Sequence, residues 1–377
     1  MGVGRLCCNP KEHPDLRQGL LCADNAPMTT LPISVGIVGY GYASKTFHAP
    51  LIRSVPGLHL AAIASSDPSK VRADLPGLPV EPDATALLAR PDIDLVVIPT
   101  PNATHFPLAR AALLAGKHVV VDKPFTVTLQ EAQTLDALAQ SKGRLLSVFH
   151  NRRWDADFLT LQSLLASGEL GPVVHFESHF DRYRPEVRQR WREQADAGGG
   201  LWYDLGAHLL DQTLQLLGRP DALALDQAQQ RTGAQATDWF HAVLHYGQAR
   251  AILHASALVP VPAARFTVHG ARGSLIKYGL DAQEDALKAG RMPGDANWGH
   301  DPVPAEVTLW QGDASHTRRQ PCLPGNYAAY YAAVRDAVRG LGPNPVSAQQ
   351  AMDVMGLIEL GLQSAREGRV LPVPAAL

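Results

Sequence analysis

The sequence predicts an α/β fold in which a doubly wound parallel sheet is followed by an α+β domain built on a large, mostly antiparallel sheet. Between residues 33 and 149, short apolar runs alternate with helical patterns, as in parallel sheets that helices cover on both faces. After His150, strand-like runs follow one another with few helices between them, which is typical of antiparallel pairing. The chain has 377 residues, enough for two domains.

We therefore expect a parallel-sheet domain at 32–150 and an α+β domain at 151–377, whose C-terminal helix can pack back on the first domain. In the first domain, the apolar runs that predict strands are 33–38, 58–64, 94–98, 118–121 and 145–149. The helical patterns between them lie at 43–54, from 68, at 85–88, 108–114 and 128–141.

In the second domain, the strand predictions rest on alternation of apolar and polar residues. They lie at 173–180, 240–246, 251–257, 265–269 and 274–278. Gly270-Ala271-Arg272-Gly273 joins the last two as a hairpin signal. Helical patterns lie at 156–166, 201–217, 326–339 and 348–367.

Composition excludes several classes of protein. The 34 basic and 36 acidic residues give a net charge of −2, and there is no basic stripe, so we expect no nucleic-acid partner. No apolar run approaches the ~20 residues of a membrane helix, so we expect no membrane partner. The four cysteines form neither a disulfide framework nor a metal spacing, which favours a reducing compartment, the cytoplasm.

Residues 1–31 contain no signal-peptide pattern and no helical or strand period, and prolines interrupt them. We expect a disordered N-terminal extension here, and Met28 leaves open a start site assigned too far upstream. A functional arm built on Cys7, Cys8 and Cys22 is the alternative interpretation.

A glycine-rich turn follows the first predicted strand. Gly39, Gly41 and the small residue Ser44 match the spacing G-x-G-x-x-G/A, with Tyr42 and Ala43 between them. The first glycine permits a tight turn, the second lets a phosphate approach the backbone, and the third position needs a small residue. The turn predicts a Rossmann-type site for the pyrophosphate of a dinucleotide, although glycine turns are common.

Several motifs follow in a fixed order, and together they resemble the Gfo/Idh/MocA family of NAD(P)-dependent sugar and polyol oxidoreductases. They are GYGYAS from Gly39, PTPNATH at 99–105, GKHVVVDKP at 116–124, HNRRW at 150–154 and GGGLWYDLGAH at 198–208. The resemblance covers about residues 33–370. Within the family, the segments at 182–193 and 276–293 are similar to the NADP-dependent scyllo-inositol dehydrogenase group.

The resemblance implies three catalytic residues. Lys123 follows a strand, and its ammonium can stabilise charge on a substrate oxygen. The alternative is a surface lysine beside a turn proline. The peptide bond between this lysine and Pro124 is often cis in the family. Asp204 and His208 lie four residues apart on a predicted helix and share one face. We expect His208 to act as general base and Asp204 to orient it and raise its basicity. The sequence leaves open whether Lys123 or His208 takes the proton, and the alternative for Asp204 and His208 is an exposed surface pair.

The end of the second strand bears on cofactor choice. In NAD-preferring folds an acid there binds the ribose 2′-hydroxyl. Aligned on the family pattern, that position is Ser65, followed by Ser66. Two serines leave room for a 2′-phosphate, so we expect NADP rather than NAD. Asp67 argues for NAD, because it could turn inward.

Other residues are assigned by resemblance or position alone, with ordinary turn or surface roles as the alternative. Those expected near the dinucleotide are Thr100, Pro101, Asn102, His105, Asp122 and Arg153. Those expected near the substrate are Asn151, Arg182, Tyr183 and Trp191. The last three belong to the stretch 182–192, whose five arginines make it a candidate substrate contact or, equally, a solvated loop. Arg152 and Trp154 follow Asn151 closely and could also reach cofactor or substrate. His241, His245 and His254 alternate on strands, but the family uses no metal, and we expect none.

These observations predict an NADP-dependent dehydrogenase of a cyclic polyol or sugar, for which scyllo-inositol and scyllo-inosose are the first candidates. Two alternatives share the fold: a glycosidase that uses tightly held NAD, and a non-catalytic regulator that senses the dinucleotide. The resemblance also implies a homodimer or homotetramer that pairs through the broad second sheet.

Overall fold

The computed structural model describes residues 31–195, 198–261 and 263–375. Apart from Leu31, the predicted N-terminal extension lies outside these residues. Within the described ranges, no helix combines the length and hydropathy needed to cross a membrane.

The N-terminal domain contains a six-stranded parallel sheet in the order β3-β2-β1-β4-β5-β6. Its strands are β1 (Ile33–Val38), β2 (Leu58–Ala64), β3 (Val80–Glu81), β4 (Leu95–Ile98), β5 (His118–Asp122) and β6 (Leu146–Phe149). Its helices are α1 (Ala49–Ser54), α2 (Pro68–Asp74), α3 (Ala84–Ala89), α4 (His105–Leu114) and α5 (Leu129–Lys142). This order confirms the predicted doubly wound sheet, and only the two-residue β3 was not expected.

The helices begin where the sequence provides caps. The side chain of Thr128 accepts a hydrogen bond from Glu131 N, and Glu131 bonds back to Thr128 N, which forms a capping box at the start of α5. Gly143, in the left-handed conformation, ends the same helix. The helix predicted at 43–54 is not α-helical throughout, because a π-helical turn at Ser44–His48 precedes α1.

The C-terminal domain contains a nine-stranded sheet in the order β14-β13-β12-β11-β7-β10-β9-β8-β15. Its strands are β7 (Val173–His179), β8 (Ala222–Ala228), β9 (Trp239–Tyr246), β10 (Ala249–Ser256), β11 (Phe266–Gly270), β12 (Gly273–Lys277), β13 (Ala305–Gln311), β14 (Ala314–Gln320) and β15 (Leu371–Pro372). Its helices are α6 (Ala156–Ala166), α7 (Ala207–Leu217), α8 (Gln283–Lys288), α9 (Ala328–Val338) and α10 (Ala348–Glu367). Only β7 and β10 pair in parallel, so the sheet is mostly antiparallel, as predicted.

One face of this sheet is buried and the other is more open. Phe176, Phe240 and Leu253 are fully buried beneath the helices, whereas alternate residues of the same strands remain partly exposed. Trp202 is buried between this face and α10, and its indole N–H donates to Ile358 O at 3.0 Å. The indole is packed so closely that a Cβ built on Gly361 would lie 2.7 Å from it.

The last helices also contact the N-terminal domain. Leu129 N donates to Glu359 Oε1 of α10 at 2.7 Å, and the hydroxyl of Tyr330 on α9 donates to Ser147 Oγ of β6 at 2.9 Å. Because the strands of the first sheet are parallel, their carboxyl ends meet at one edge. Gly39, Thr100, Lys123 and Asn151 therefore all come to the edge that faces the second domain.

Candidate functional site

The glycine turn has the conformation that its motif requires. Gly39 has φ of +88°, and its N–H donates to Ala64 O at 2.8 Å, which ties the turn to β2. A Cβ built on Gly41 would meet no atom within 4 Å, so the backbone there is open to a ligand. Ser44 is fully buried and donates through Oγ to Gly39 O at 2.8 Å, so the small third residue closes the turn.

The end of β2 lacks an acid that turns inward. Asp67 caps α2 by accepting a hydrogen bond from Ser69 N at 3.2 Å, and its other oxygen lies 3.3 Å from Lys70 Nζ. Ser65 Oγ is engaged within its own turn, where it accepts from Asp67 N. In the described structure, Ser66 forms no side-chain hydrogen bond, and it is exposed. This arrangement leaves a hydroxyl, and no carboxylate, for the ribose end of a dinucleotide.

Lys123 and Asp204 form an ion pair at the edge of the parallel sheet. Lys123 Nζ lies 2.8 Å from Asp204 Oδ1 and 2.7 Å from Asp204 O, and Arg192 Nε lies 3.3 Å from the same carboxylate oxygen. Burial lowers the pKa of Lys123, although Asp204 opposes this effect. Burial alone would raise the pKa of Asp204, but Lys123 and Arg192 outweigh it and hold that pKa far below its usual range.

His208 does not pair with Asp204, which corrects the prediction that the carboxylate orients the imidazole and raises its basicity. The Asp204 carboxylate faces two cations, which bind it more strongly than a neutral ring would. His208 is buried, and its Nδ1 has no hydrogen-bond partner in the described structure. Burial, followed by the positive charges of Lys123 and Arg152, lowers the pKa of His208 well below its usual value. The ring is therefore neutral near pH 7.

These side chains line a cleft of about 470 Å³ between the two sheets. Other predicted residues that line it are Tyr42, Ala43, Asp122, Asn151 and Arg182. The lining also includes Arg152, four further arginines of the predicted 182–192 stretch, and Lys288, which was not assigned from the sequence; the four arginines are Arg184, Arg188, Arg190 and Arg192. The Tyr42 hydroxyl donates to Glu284 Oε1 at 2.7 Å, so the glycine turn contacts the second domain across the cleft.

Arg153, Tyr183 and Trp191 are among the predicted site residues that do not line the cleft. Arg153 is buried in an ion pair with Asp211 at 2.6 Å and donates to Gln350 Oε1 at 3.0 Å, because its side chain turns toward α7 and α10. Tyr183 is 60% exposed, on the outside of its segment. Trp191 does not line the cleft, and the guanidinium carbon of Arg192 lies over its ring, 4.5 Å from the ring centroid.

Glu284 was missed by the sequence analysis, and it pairs with Arg152 in the cleft lining at 3.0 Å. Arg152 and Arg153 are adjacent in one 3₁₀ turn but point in different directions, which their order in the sequence could not show. Glu284 lies in the segment 276–293 that carries the family resemblance, and this was the only available signal. Burial by itself would raise the pKa of Glu284, but the positive charge of Arg152 has the larger effect and lowers this pKa to about 2.

The loop after β4 supports the site rather than lining it. His105 is buried, and its ring nitrogens lie 2.9 Å from Pro124 O and 2.9 Å from Thr100 O. Asn102 follows Pro101 and donates to Gly198 O at 2.8 Å, so the loop joins the two domains. The Lys123–Pro124 peptide bond is cis, as the family resemblance implied.

Fold and site together define an NAD(P)-binding oxidoreductase. Residues 33–150 match the profile described as "Oxidoreductase family, NAD-binding Rossmann fold", and residues 162–374 match "Oxidoreductase family, C-terminal alpha/beta domain". The chain belongs to the Gfo/Idh/MocA family.

Relatives of known sequence or structure cover nearly the whole chain. The uncharacterized oxidoreductase YdgJ of Escherichia coli is 59% identical, over 90% of this chain and 98% of its own. The scyllo-inositol 2-dehydrogenase (NADP(+)) IolW of Bacillus subtilis is 40% identical, over 90% of this chain and 95% of its own. A solved oxidoreductase structure from Yersinia pestis, 58% identical, superposes with a TM-score of 0.89 over 92% of this chain and 98% of its own.

Proposed function

We propose that this protein is an NADP-preferring dehydrogenase that transfers a hydride between nicotinamide and a cyclic polyol or sugar, with scyllo-inositol and scyllo-inosose as the first compounds to test. The observation that carries the proposal is the grouping of Lys123, Asp204 and His208 in the same cleft as the glycine turn. The name of the Bacillus subtilis relative supports both the compound and the cofactor.

The chain has features that fit the cofactor. The open backbone at Gly41 can approach a pyrophosphate without a side chain in the way, and Tyr42 and Ala43 continue that surface into the cleft. At the other end, Ser66 offers a hydroxyl while Asp67 is committed to capping α2. The cofactor accepts or gives the hydride when bound, and the chain's residues position the substrate and handle one proton.

Lys123 is proposed to stabilise the reacting oxygen. Asp204 maintains its ammonium charge against burial, so Lys123 can donate a hydrogen bond to a substrate oxygen that becomes negative. His208 lines the cleft and its ring is neutral, which makes the ring a candidate proton acceptor. We therefore assign the proton to His208 and the charge stabilisation to Lys123.

The cationic lining is proposed to bind substrate hydroxyls. The guanidinium of Arg182 lies against the face of Phe180, 4.7 Å from the ring centroid, and forms no hydrogen bond or ion pair with the described residues. Burial lowers the pKa of Arg182 to about 10, so it remains charged near neutrality. Its unused N–H donors face the cleft, where the oxygens of a polyol can accept them.

A substrate panel tests the proposal. Purified protein is incubated with inositols and aldoses, each with NADP and with NAD, and the absorbance of the reduced nicotinamide is followed. We expect turnover of a cyclic polyol with NADP and its loss in Lys123→Ala. A clear preference for NAD would contradict the cofactor assignment. Glycoside cleavage without net absorbance change would indicate the NAD-assisted hydrolase instead, and dinucleotide binding without turnover of any compound would indicate the regulator.

A further inference from the structure

A second group of polar side chains lies on the open face of the nine-stranded sheet, outside the cleft. His179 ends β7, Asp181 follows two residues later, and His254 lies on β10, which pairs with β7 in parallel. The register places His254 directly opposite His179. Each side chain is only partly exposed, with 19%, 6% and 14% of its surface accessible, respectively.

The distances within this group are unsuitable for hydrogen bonds. His179 Nδ1 lies 3.4 Å from one oxygen of Asp181, and His254 Nε2 lies 3.6 Å from the other. Hydrogen bonds of this type are about 2.7–3.2 Å long. His179 Nδ1 and His254 Nδ1 are buried, and among the described residues neither has a hydrogen-bond partner. Beside the Asp181 carboxylate, therefore, the buried Nδ1 of His179 remains unsatisfied, and Nε2 of His254 lies too far away for a hydrogen bond.

These distances, each to a different oxygen of Asp181, are close to the spacing between the ligand atoms of a metal ion. In a tetrahedral zinc site with bonds of about 2.0–2.1 Å, neighbouring ligand atoms lie roughly 3.3–3.4 Å apart. One ligand atom from each of the three residues can be chosen so that all lie within 4.8 Å of one another. We propose that His179, Asp181 and His254 form a binding site for a divalent transition metal, for which Zn²⁺ is the probe. This differs from the sequence-based expectation that the chain binds no metal.

Neighbouring residues orient two of the ligands. Glu177 Oε2 lies 3.2 Å from Nε2 of His179, so a carboxylate holds the ring nitrogen that points away from the site. Metal-bound histidines commonly have this outer partner. Ser256 N donates to Asp181 Oδ1 at 3.1 Å and fixes the carboxylate. With two neutral imidazoles and two carboxylates, the group has the negative charge that favours a dication, and the partial exposure leaves a path for entry.

A metal here would tie together the ends of β7 and β10. Arg182 follows Asp181, and its N–H donates to Ser256 O at 2.9 Å, two residues beyond His254. The site therefore lies at the start of the arginine-rich segment whose side chains line the cleft. Its role would be structural, since the three ligands do not line the cleft themselves.

Calorimetric titration of the metal-free, full-length, untagged protein with ZnCl₂ tests the site. We expect one Zn²⁺ per chain and at least tenfold weaker binding in His179→Ala, Asp181→Asn and His254→Ala. Glu177→Gln should weaken binding about tenfold, as loss of an outer partner does. His245→Ala is the matched control, because His245 lies on the same face of the sheet but outside the group. It should bind as the wild type does.

Two further measurements separate this site from other outcomes. Cys7, Cys8 and Cys22 can bind Zn²⁺ as thiolates, so each titration is repeated with all three replaced by serine, and the binding should persist. If a histidine variant fails to fold, thermal unfolding of the wild type decides. Zn²⁺ should raise the melting temperature and EDTA should reverse the rise. Absence of that rise, absence of saturable binding, or binding unchanged in His179→Ala and His254→Ala would overturn the proposal.

Discussion

Replacement of Asp204 by asparagine tests whether this carboxylate maintains the charge of Lys123. Asparagine has nearly the same shape, so the change removes the charge and little else. At an effective dielectric constant of about 20, unit charges 2.8 Å apart attract by roughly 6 kcal/mol. Loss of one partner of a buried ion pair costs about 3–5 kcal/mol in proteins, and this smaller range is the better guide.

The cost should fall on the protonated form of Lys123, because Arg192 remains close by and repels it. The pKa of Lys123 should therefore fall in the variant. On the high-pH limb, above the pKa of Lys123 in both proteins, kcat/KM for reduction of the ketone should fall by about a hundredfold or more, since each 1.36 kcal/mol corresponds to a factor of ten. Lower pH should restore part of the activity, because protonation returns the ammonium.

The assay is a pH profile of kcat/KM for NADPH-dependent reduction of scyllo-inosose, or of the best ketone from the panel. The limb at high pH should move toward lower pH in Asp204→Asn. Asp226→Asn is the control, since Asp226 is exposed on β8 and far from the cleft lining. A folded Asp204→Asn protein whose high-pH limb is unmoved would refute this account of Lys123.

Three other predictions concern binding and stability. Arg182→Ala should raise KM for the polyol at least tenfold while the Kd for NADPH, measured by fluorescence, stays the same; an equal loss of NADPH affinity would place Arg182 at the dinucleotide instead. Gly41→Ala should fold with an unchanged melting temperature, because the added Cβ meets no protein atom, but it should bind NADPH more weakly in the same titration. Gly361→Ala should lower the melting temperature, because its Cβ would contact Trp202. Unchanged NADPH affinity in Gly41→Ala would argue against a pyrophosphate at the turn. His150 is buried, and burial lowers its pKa to about 4, so the unfolded chain takes up the proton first as pH falls below about 6.5. Because of His150, the free energy of unfolding measured in urea should fall by about 2 kcal/mol between pH 7 and pH 5. His150→Gln should show a smaller fall. A variant with the same pH dependence as the wild type would contradict the lowered pKa of His150.

The parallel sheet was predictable because its strands are short, apolar and separated by helices. The second sheet was harder. β8 reads ALALDQA, a short apolar run that ends in Asp226 and Gln227, and β14 is almost entirely polar, so neither has the alternation of apolar and polar residues that predicts a strand. These strands form through pairing with neighbours that are distant in sequence, for which the local pattern carries no signal.

In the candidate site, sequence motifs predicted which segments meet but not which way each side chain turns. Lys123 and His208 both line the cleft, as the family resemblance implied. Arg153 does not, since a buried partner at Asp211 determines its direction. Asp204 lies one helical turn before His208, yet its orientation depends on cations from two other segments. Charge pairing between distant segments decides such details.

The position of Trp202 bears on when the protein becomes active during its synthesis. The indole belongs to the π-helical turn that also contains Asp204, and it is fixed by a hydrogen bond to Ile358 and by close packing against Gly361. Both partners lie on the last long helix, which leaves the ribosome after every other part of the cleft. A nascent chain that has completed both sheets up to β14 therefore still lacks the support that positions Asp204. We therefore expect activity to begin only after α10 has been synthesised.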